Sequence, residues 1–187
     1  MKEHQDNKRR RILTIPNLLS AFRLLLVPVI VWLYCGEENY PLTACALALS
    51  GATDVVDGFI ARRLDMVSDL GKVLDPVADK LTQAAALGCL LTRFGAIRWL
   101  LAVLVGKELI MAAMGILVIR RTGVVHGARW HGKLATCLIY AVIFLHVVWY
   151  RILAAVSAWL AAMAAGAILL SLVLYTVQNV KWVKEGR

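Results

Sequence analysis

Six aspartates fall between Gly51 and Lys80 in a chain that is 60% hydrophobic. Four of them, Asp54, Asp57, Asp75 and Asp79, lie on or beside helical segments continuous with membrane-length apolar runs. An ionised carboxylate close to a bilayer is costly unless it is paired, hydrated or bound to a cation. A fold for this chain must therefore supply those four acids with a counter-charge.

The remainder of the sequence sets where that happens. With 187 residues, 18% of them charged, and a mean hydropathy of +0.71, the chain is too apolar for an ordinary soluble domain. The apolar run Leu18–Leu33 follows the basic segment Lys8–Arg11, but no small-residue cleavage site and soluble domain come after it. It reads as a first membrane helix retained in the product rather than a secretory signal. Further helices are expected from Pro41 to Arg63, Leu74 to Leu91, Arg98 to Val118, Gly132 to Tyr150 and Ala154 to Val180. The predicted fold is all-α: a polytopic membrane protein with six transmembrane helices and a polar active site on the cytoplasmic side. Residues 1–13 form a basic cytoplasmic segment, 14–180 the membrane domain and 181–187 a cytoplasmic tail.

The net charge of +9 is distributed by topology. On the six-helix reading the inside ends collect Lys8 to Arg11, Arg62, Arg63, Arg120, Arg121, Arg129, Lys133, Lys181 and Lys184, while the opposite side holds Arg93, Arg98 and Arg151. That bias is the positive-inside signature and puts both termini in the cytoplasm. No soluble module accompanies it, which argues against a nucleic-acid binder. The four cysteines, Cys35, Cys45, Cys89 and Cys137, have no metal-site spacing and read as small buried hydrophobes.

On a helix turning about 100° per residue, Ser50, Asp54, Asp57 and Ala61 share one face, with Gly58 and Arg62 flanking it. Asp75 and Asp79 stand one turn apart on the next helix, with Gly71 a turn earlier. Two facing carboxylate pairs suit one or two divalent ions. The small residues Gly58 and Ala61 leave room against the backbone, and Arg62 can hold a phosphate through two parallel hydrogen bonds. Together they suggest a bound diphosphate. A buried salt network balanced by Arg23, Arg62, Lys80 and Lys107, or a cation-transport site, would use the same acids.

Asp54-Val-Val-Asp57-Gly58-Phe-Ile-Ala61-Arg62, eight residues, Gly71, three residues, Asp75, three residues and Asp79 resembles the full signature of the CDP-alcohol phosphatidyltransferases, D-x2-D-G-x2-A-R-x8-G-x3-D-x3-D. Pro16-Asn17 with Arg23 resembles that family's P-N-x-x-[ST]-x-x-R opening. The resemblance implies a six-helix enzyme, commonly homodimeric, of a cell membrane such as the bacterial inner membrane. It would move the phosphatidyl group of CDP-diacylglycerol to an alcohol, with release of CMP and with Mg²⁺ or Mn²⁺, here two divalent ions. It further implies that Asp54, Asp57, Asp75 and Asp79 hold the metals and that Asp79 is the base for the acceptor hydroxyl. Asp54, Asp57, Gly58, Ala61, Arg62, Gly71 and Asp75 would form the nucleotide and diphosphate site. Asn17, Arg23 and Asp69 are supporting candidates. Membrane phospholipids are implied partners, and nucleic acid is not.

The acceptor has weaker marks. Lys107-Glu108 resembles an Arg-Glu pair of phosphatidylglycerophosphate synthases, with lysine in place of arginine. Gly132-Lys133-Leu134-Ala135-Thr136 resembles their G-K-x-K-T, with Ala135 where the second lysine would be. Lys133, Arg129 and Arg121 are the candidates for an acceptor phosphate, and glycerol 3-phosphate is the expected acceptor. Phosphatidylglycerol, the acceptor of a cardiolipin synthase, is the alternative, followed by serine, inositol and inositol phosphate.

Overall fold

The computed structural model describes residues 14–63, 71–122 and 130–185. These form six α-helices: α1 (Ile15–Val31), α2 (Tyr40–Arg63), α3 (Gly71–Leu90), α4 (Gly95–Thr122), α5 (Trp130–Val148) and α6 (Ala154–Glu185). The chain divides into two compact units, Met1–Cys89 and Leu90–Arg187.

Local chemistry sets the start and end of α1. Thr14 has extended backbone geometry and its hydroxyl accepts from the Asn17 amide at 3.4 Å, capping the helix just ahead of Pro16. Pro28 lacks the N–H that would bond the Leu24 carbonyl. The helix then widens into a π-helical turn, Trp32–Gly36. A short link follows in which Glu38 has a φ of 50°. The reversal is closed by Glu37 N–H to the Trp32 carbonyl at 3.0 Å and Asn39 N–H to the Leu33 carbonyl at 2.9 Å. So short a connection sends α2 back antiparallel along α1, against which it packs.

The inner face of α1 runs Asn17, Ser20, Arg23, Leu26 and Ile30, continued by Tyr34 of the π-helical turn, all buried. Its first two turns are polar and the remainder is apolar. On α2 the order is reversed: Ala44 and Leu47 come early, and Ser50 and Asp57 late. Antiparallel packing therefore sets polar against polar at one end and apolar against apolar at the other. In lipid, where the surroundings are as apolar as leucine, such matching of packing and hydrogen bonds decides helix association.

In the second unit α6 packs against both α4 and α5. Buried Ile97, Leu100, Ile139, Ile143, Ala164 and Ile168 fill its interior. At one end His146 joins α5 to α6: its Nδ1 meets the Val142 carbonyl at 2.8 Å and its Nε2 the Ser157 hydroxyl at 2.8 Å. With Nδ1–H donating to the carbonyl, the serine hydroxyl donates to Nε2, so both buried polar groups are satisfied.

The expectation of six transmembrane helices is corrected. Among the described residues four helices are long and apolar enough to cross a membrane, over Asn17–Gly36, Tyr40–Ile60, Gly95–Val118 and Ala154–Val180. The two that fall short do so for separate reasons. α3 is 20 residues long, but Lys72, Asp75, Asp79 and Lys80 occupy its first half. Only the part after Lys80 is free of charge, which at about 1.5 Å per residue covers roughly half of a ~30 Å hydrocarbon core. The apolar part of α5, Gly132–Val148, is shorter than the other spans. What holds is an all-α, multi-pass membrane protein. Leu25, Leu18, Val55, Leu109, Trp99 and Trp159 present their side chains outward, as a lipid-facing surface requires.

Glu38 is the one non-glycine residue with positive φ among those described, a conformation disfavoured by about 1–2 kcal/mol for a residue bearing a Cβ. Glu38→Gly is expected to raise the stability of the detergent-solubilised protein by about 1 kcal/mol, measured as a higher midpoint of thermal unfolding. An unchanged or lower midpoint would show that the link is not strained.

Candidate active site

The acids of the first unit are drawn together by α1. Arg23, 1% exposed, reaches Asp54 Oδ1 with Nη1 at 2.5 Å and Asp57 Oδ2 with Nη2. Ser20, one turn earlier on the same face, donates its hydroxyl to Asp75 Oδ1 on α3. Arg23 and Ser20 are three residues apart, so one stripe of one helix contacts carboxylates on two others. Asp75 and Asp79 also lie close enough to Asp54 to interact with it electrostatically, as Asp75 does with Asp57. Asp79 accepts from Gln83 Nε2 at 3.4 Å.

The two carboxylates held by Arg23 differ in setting. The Asp57 side chain is 4% exposed and that of Asp54 is 52% exposed. A buried ion pair is strongly destabilised when one partner is removed, whereas an exposed one contributes little. Arg23 is itself incompletely satisfied: among the described residues its buried Nε has no hydrogen-bond partner, and Nη1 meets Asp54 as an ion pair without hydrogen-bond geometry.

The inner stripe of α3 explains its small residues. Gly71, Ala78, Thr82 and Ala86 are buried along it, and Asp75 falls between Gly71 and Ala78 on the same stripe. Thr82 turns its hydroxyl onto the Ala78 carbonyl at 2.9 Å and so stays satisfied. Gly58 is partly buried on α2, one residue after Asp57. Ala61 and Arg62 belong to the last turns of α2. Asp69 and Arg129 lie outside the described residues.

The donor set has the chemistry of a divalent-cation site, since carboxylate oxygens are the hard ligands that Mg²⁺ and Mn²⁺ take. The arrangement does not fit one: among the described residues no three acidic, histidine or cysteine side chains converge on a point where an ion would sit. Asp54 and Asp57 are instead turned onto Arg23, and Asp75 onto Ser20.

The acceptor candidates belong to the second unit. Lys107 Nζ donates to its neighbour Glu108 at 2.7 Å, which neutralises both charges inside the span Gly95–Val118. Lys133 is exposed in the first turn of α5, and Arg121 is exposed at the end of α4. Ala135 is buried. Gly132 lies against Tyr175 of α6: a Cβ at that position would come within 2.8 Å of the tyrosine hydroxyl. Any larger residue there would require the Tyr175 ring to shift.

Ser20, which donates to Asp75, and Tyr175, which lies against Gly132, were not singled out from the sequence. Ser20 had a signal, since it occupies the serine/threonine place of the Pro16-Asn17…Arg23 pattern. Tyr175 had none, because its relation to Gly132 arises from packing between α5 and α6.

Residues 13–178 match the model of the CDP-alcohol phosphatidyltransferases, and the chain belongs to that family of transferases. It is 38% identical over 162 residues to a cardiolipin synthase (CMP-forming) of Streptomyces coelicolor, covering 83% of this chain and 72% of that protein. It is 39% identical over 107 residues to a CDP-diacylglycerol–glycerol-3-phosphate 3-phosphatidyltransferase of Pseudomonas fluorescens, covering 54% of each. A Bacillus subtilis protein of the latter description is 35% identical over 136 residues, 65% of this chain and 70% of that one. The similar proteins thus divide between a cardiolipin synthase and glycerol-3-phosphate phosphatidyltransferases.

The contrast between the two carboxylates gives a test of the site. Asp57→Asn is expected to lower the unfolding free energy by about 2–4 kcal/mol and Asp54→Asn by less than about 1 kcal/mol, measured by denaturant unfolding in mild detergent. Equal losses would show that burial does not separate their roles.

Proposed function

We propose that this chain transfers the phosphatidyl group of CDP-diacylglycerol to the hydroxyl of a glycerol that also bears a phosphate, with glycerol 3-phosphate as the acceptor. CMP is the second product. The observation that carries this reading is the gathering of Asp54, Asp57 and Asp75 by Arg23 and Ser20, at the positions of the signature on which the family resemblance rests. Glycerol 3-phosphate is supported by the names of the Pseudomonas and Bacillus relatives and by the exposed cations Lys133 and Arg121 in the second unit.

In the proposed reaction Asp79 accepts the proton of the acceptor hydroxyl. The freed oxygen bonds to the phosphorus that carries diacylglycerol. The bond from that phosphorus to the bridging oxygen of the diphosphate breaks, and CMP leaves with the electron pair. Gly58, Ala61 and Gly71 keep the helix faces clear for the nucleotide, and Arg62 pairs with the diphosphate. Ser20 holds the start of α1 against Asp75, and Asn17 supports that end of the helix. Divalent cations are typical of the family.

The basic residues Lys8–Arg11, Lys181 and Lys184, with Arg62 and Arg63 at the acid-bearing end of α2, support a cytoplasmic placement of the termini and of the acids. CMP then leaves to the cytoplasm while both lipid tails stay in the bilayer.

A second reading has its own support. The Streptomyces cardiolipin synthase matches the largest share of this chain among the three relatives above. Ala135 is buried where G-K-x-K-T would set a second lysine, and Lys107 is tied to Glu108. Fewer free cations suit phosphatidylglycerol, whose tails already anchor it, better than a soluble dianion.

CMP release from CDP-diacylglycerol, followed with purified protein, Mg²⁺ and each acceptor in turn, decides between them. Release with glycerol 3-phosphate is the expected result. Release with phosphatidylglycerol alone would assign the second reading, and release with neither would remove both. Asp79→Asn should abolish turnover while CDP-diacylglycerol still binds. Loss of donor binding as well would leave its role as base unsupported. Lys133→Ala should raise the KM for glycerol 3-phosphate about tenfold, and an unchanged KM would take Lys133 out of the acceptor site.

A further inference from the structure

The turns before α4 and after α5 meet at one end of the second unit. Phe94, just ahead of α4, packs edge-on against His146 near the end of α5, with ring centroids 4.9 Å apart. His146 is itself fixed by Val142 and Ser157. The turn after α5 is closed by Ile152 N–H to the Trp149 carbonyl at 3.0 Å. Arg93 and Arg151 are thereby brought to one ring: their guanidinium carbons stand 5.9 and 5.5 Å from the centre of Tyr150. A tyrosine ring orients two guanidinium groups but carries no charge to cancel them. From Leu90 onward the acidic residues are Glu108, which Lys107 neutralises, and Glu185, at the far end of α6. Arg93, Tyr150 and Arg151 are all exposed, so this end of the unit presents a doubled positive charge to its surroundings.

An apolar groove between α5 and α6 begins roughly two helical turns from Arg151 and runs away from it. Leu138, Ala141 and Leu145 line it from one face of α5, and Leu160 and Met163 line it from α6. Exposed Trp149 continues the α5 face one turn nearer the arginines. We propose that this end of the second unit binds an anionic phospholipid, with the headgroup phosphate on Arg93 and Arg151 and one acyl chain along the α5–α6 groove. Charge and shape select that occupant. Guanidinium groups take phosphate oxygens through forked hydrogen bonds, and exposed aromatic rings such as Tyr150 and Trp149 sit at headgroup level. A free phosphate would use the arginines and leave the groove empty. A zwitterionic lipid would bring a cation of its own towards them. Lys133 lies in the first turn of α5, at its other end. The lipid site is therefore separate from the acceptor candidates and holds for either acceptor.

Native mass spectrometry of the purified full chain in detergent, titrated with dioleoylphosphatidic acid or dioleoylphosphatidylcholine, reads this directly and needs no turnover. The two lipids share their chains and differ in headgroup. Phosphatidic acid is expected to bind about tenfold more tightly. Arg93→Gln combined with Arg151→Gln should remove that preference and leave phosphatidylcholine binding as it was. Both arginines are exposed, so their loss strands no buried charge. Ala141→Leu, at an exposed position within the groove, should weaken both lipids, and Lys133→Ala should change neither. Equal affinity for the two lipids, or a preference that survives the double arginine variant, would overturn the proposal. A preference lost in Lys133→Ala and kept in the arginine variant would put the lipid at the acceptor end, which overturns it as well. If inorganic phosphate displaces phosphatidic acid and Ala141→Leu has no effect, the arginines hold a free anion and the lipid site falls.

Discussion

An arginine wholly buried at the start of a membrane-spanning helix needs anionic partners within reach, because neither lipid nor apolar side chains can solvate it. Arg23 finds them in Asp54 and Asp57. The first unit depends on that bridge. It sets the register of α1 against α2, since the polar end of each inner face must meet the other. It neutralises part of a carboxylate group that would otherwise be self-repelling. Through Ser20, three residues away on the same face, it also brings the start of α3 into the arrangement. The apolar half of the interface, Leu26, Ile30 and Tyr34 with Ala44 and Leu47, then only has to pack.

The second unit handles buried polarity differently. Lys107 and Glu108 cancel each other within one helix. His146 and Ser157 satisfy each other across two, beside a carbonyl that fixes which imidazole nitrogen carries the proton. These groups are closed: each buried donor has an acceptor. The acid cluster is open by comparison, with Asp54 exposed and the Arg23 Nε without a partner among the described residues. A polar group left partly unsatisfied in a site that otherwise economises on charge is a mark of function rather than stability.

Much of this was legible in the residues. The spacing of Asp54, Asp57, Asp75 and Asp79 gave both the helix faces and the family, and the pattern Pro16-Asn17…Arg23 gave the start of α1. The span count was not legible, because helix length and membrane crossing are separate properties. The uncharged half of α3 beyond Lys80 extends an apolar run that looks continuous in sequence, while the charges at Lys72, Asp75, Asp79 and Lys80 leave the other half too polar to sit in hydrocarbon. The sequence set Arg23 beside Arg62, Lys80 and Lys107 as a cation that could balance the acids, but not which of the acids it meets. The packing of α1 on α2 supplies that. The acceptor side shows the same limit: Ala135 could be seen to replace a lysine, but not that the position is buried.

The central claim is that the Arg23–Asp57 pair ties α1 to the acid-bearing helices. A double-mutant cycle on stability, using Arg23→Met, Asp57→Leu and the two combined, measures that coupling without reference to catalysis. A coupling energy of about 1.5–3 kcal/mol is predicted, with the double variant more stable than either single change because neither charge is left buried alone. Additive losses, with a coupling within about 0.5 kcal/mol of zero, would contradict the account and return Arg23 to the interface as an unpaired cation.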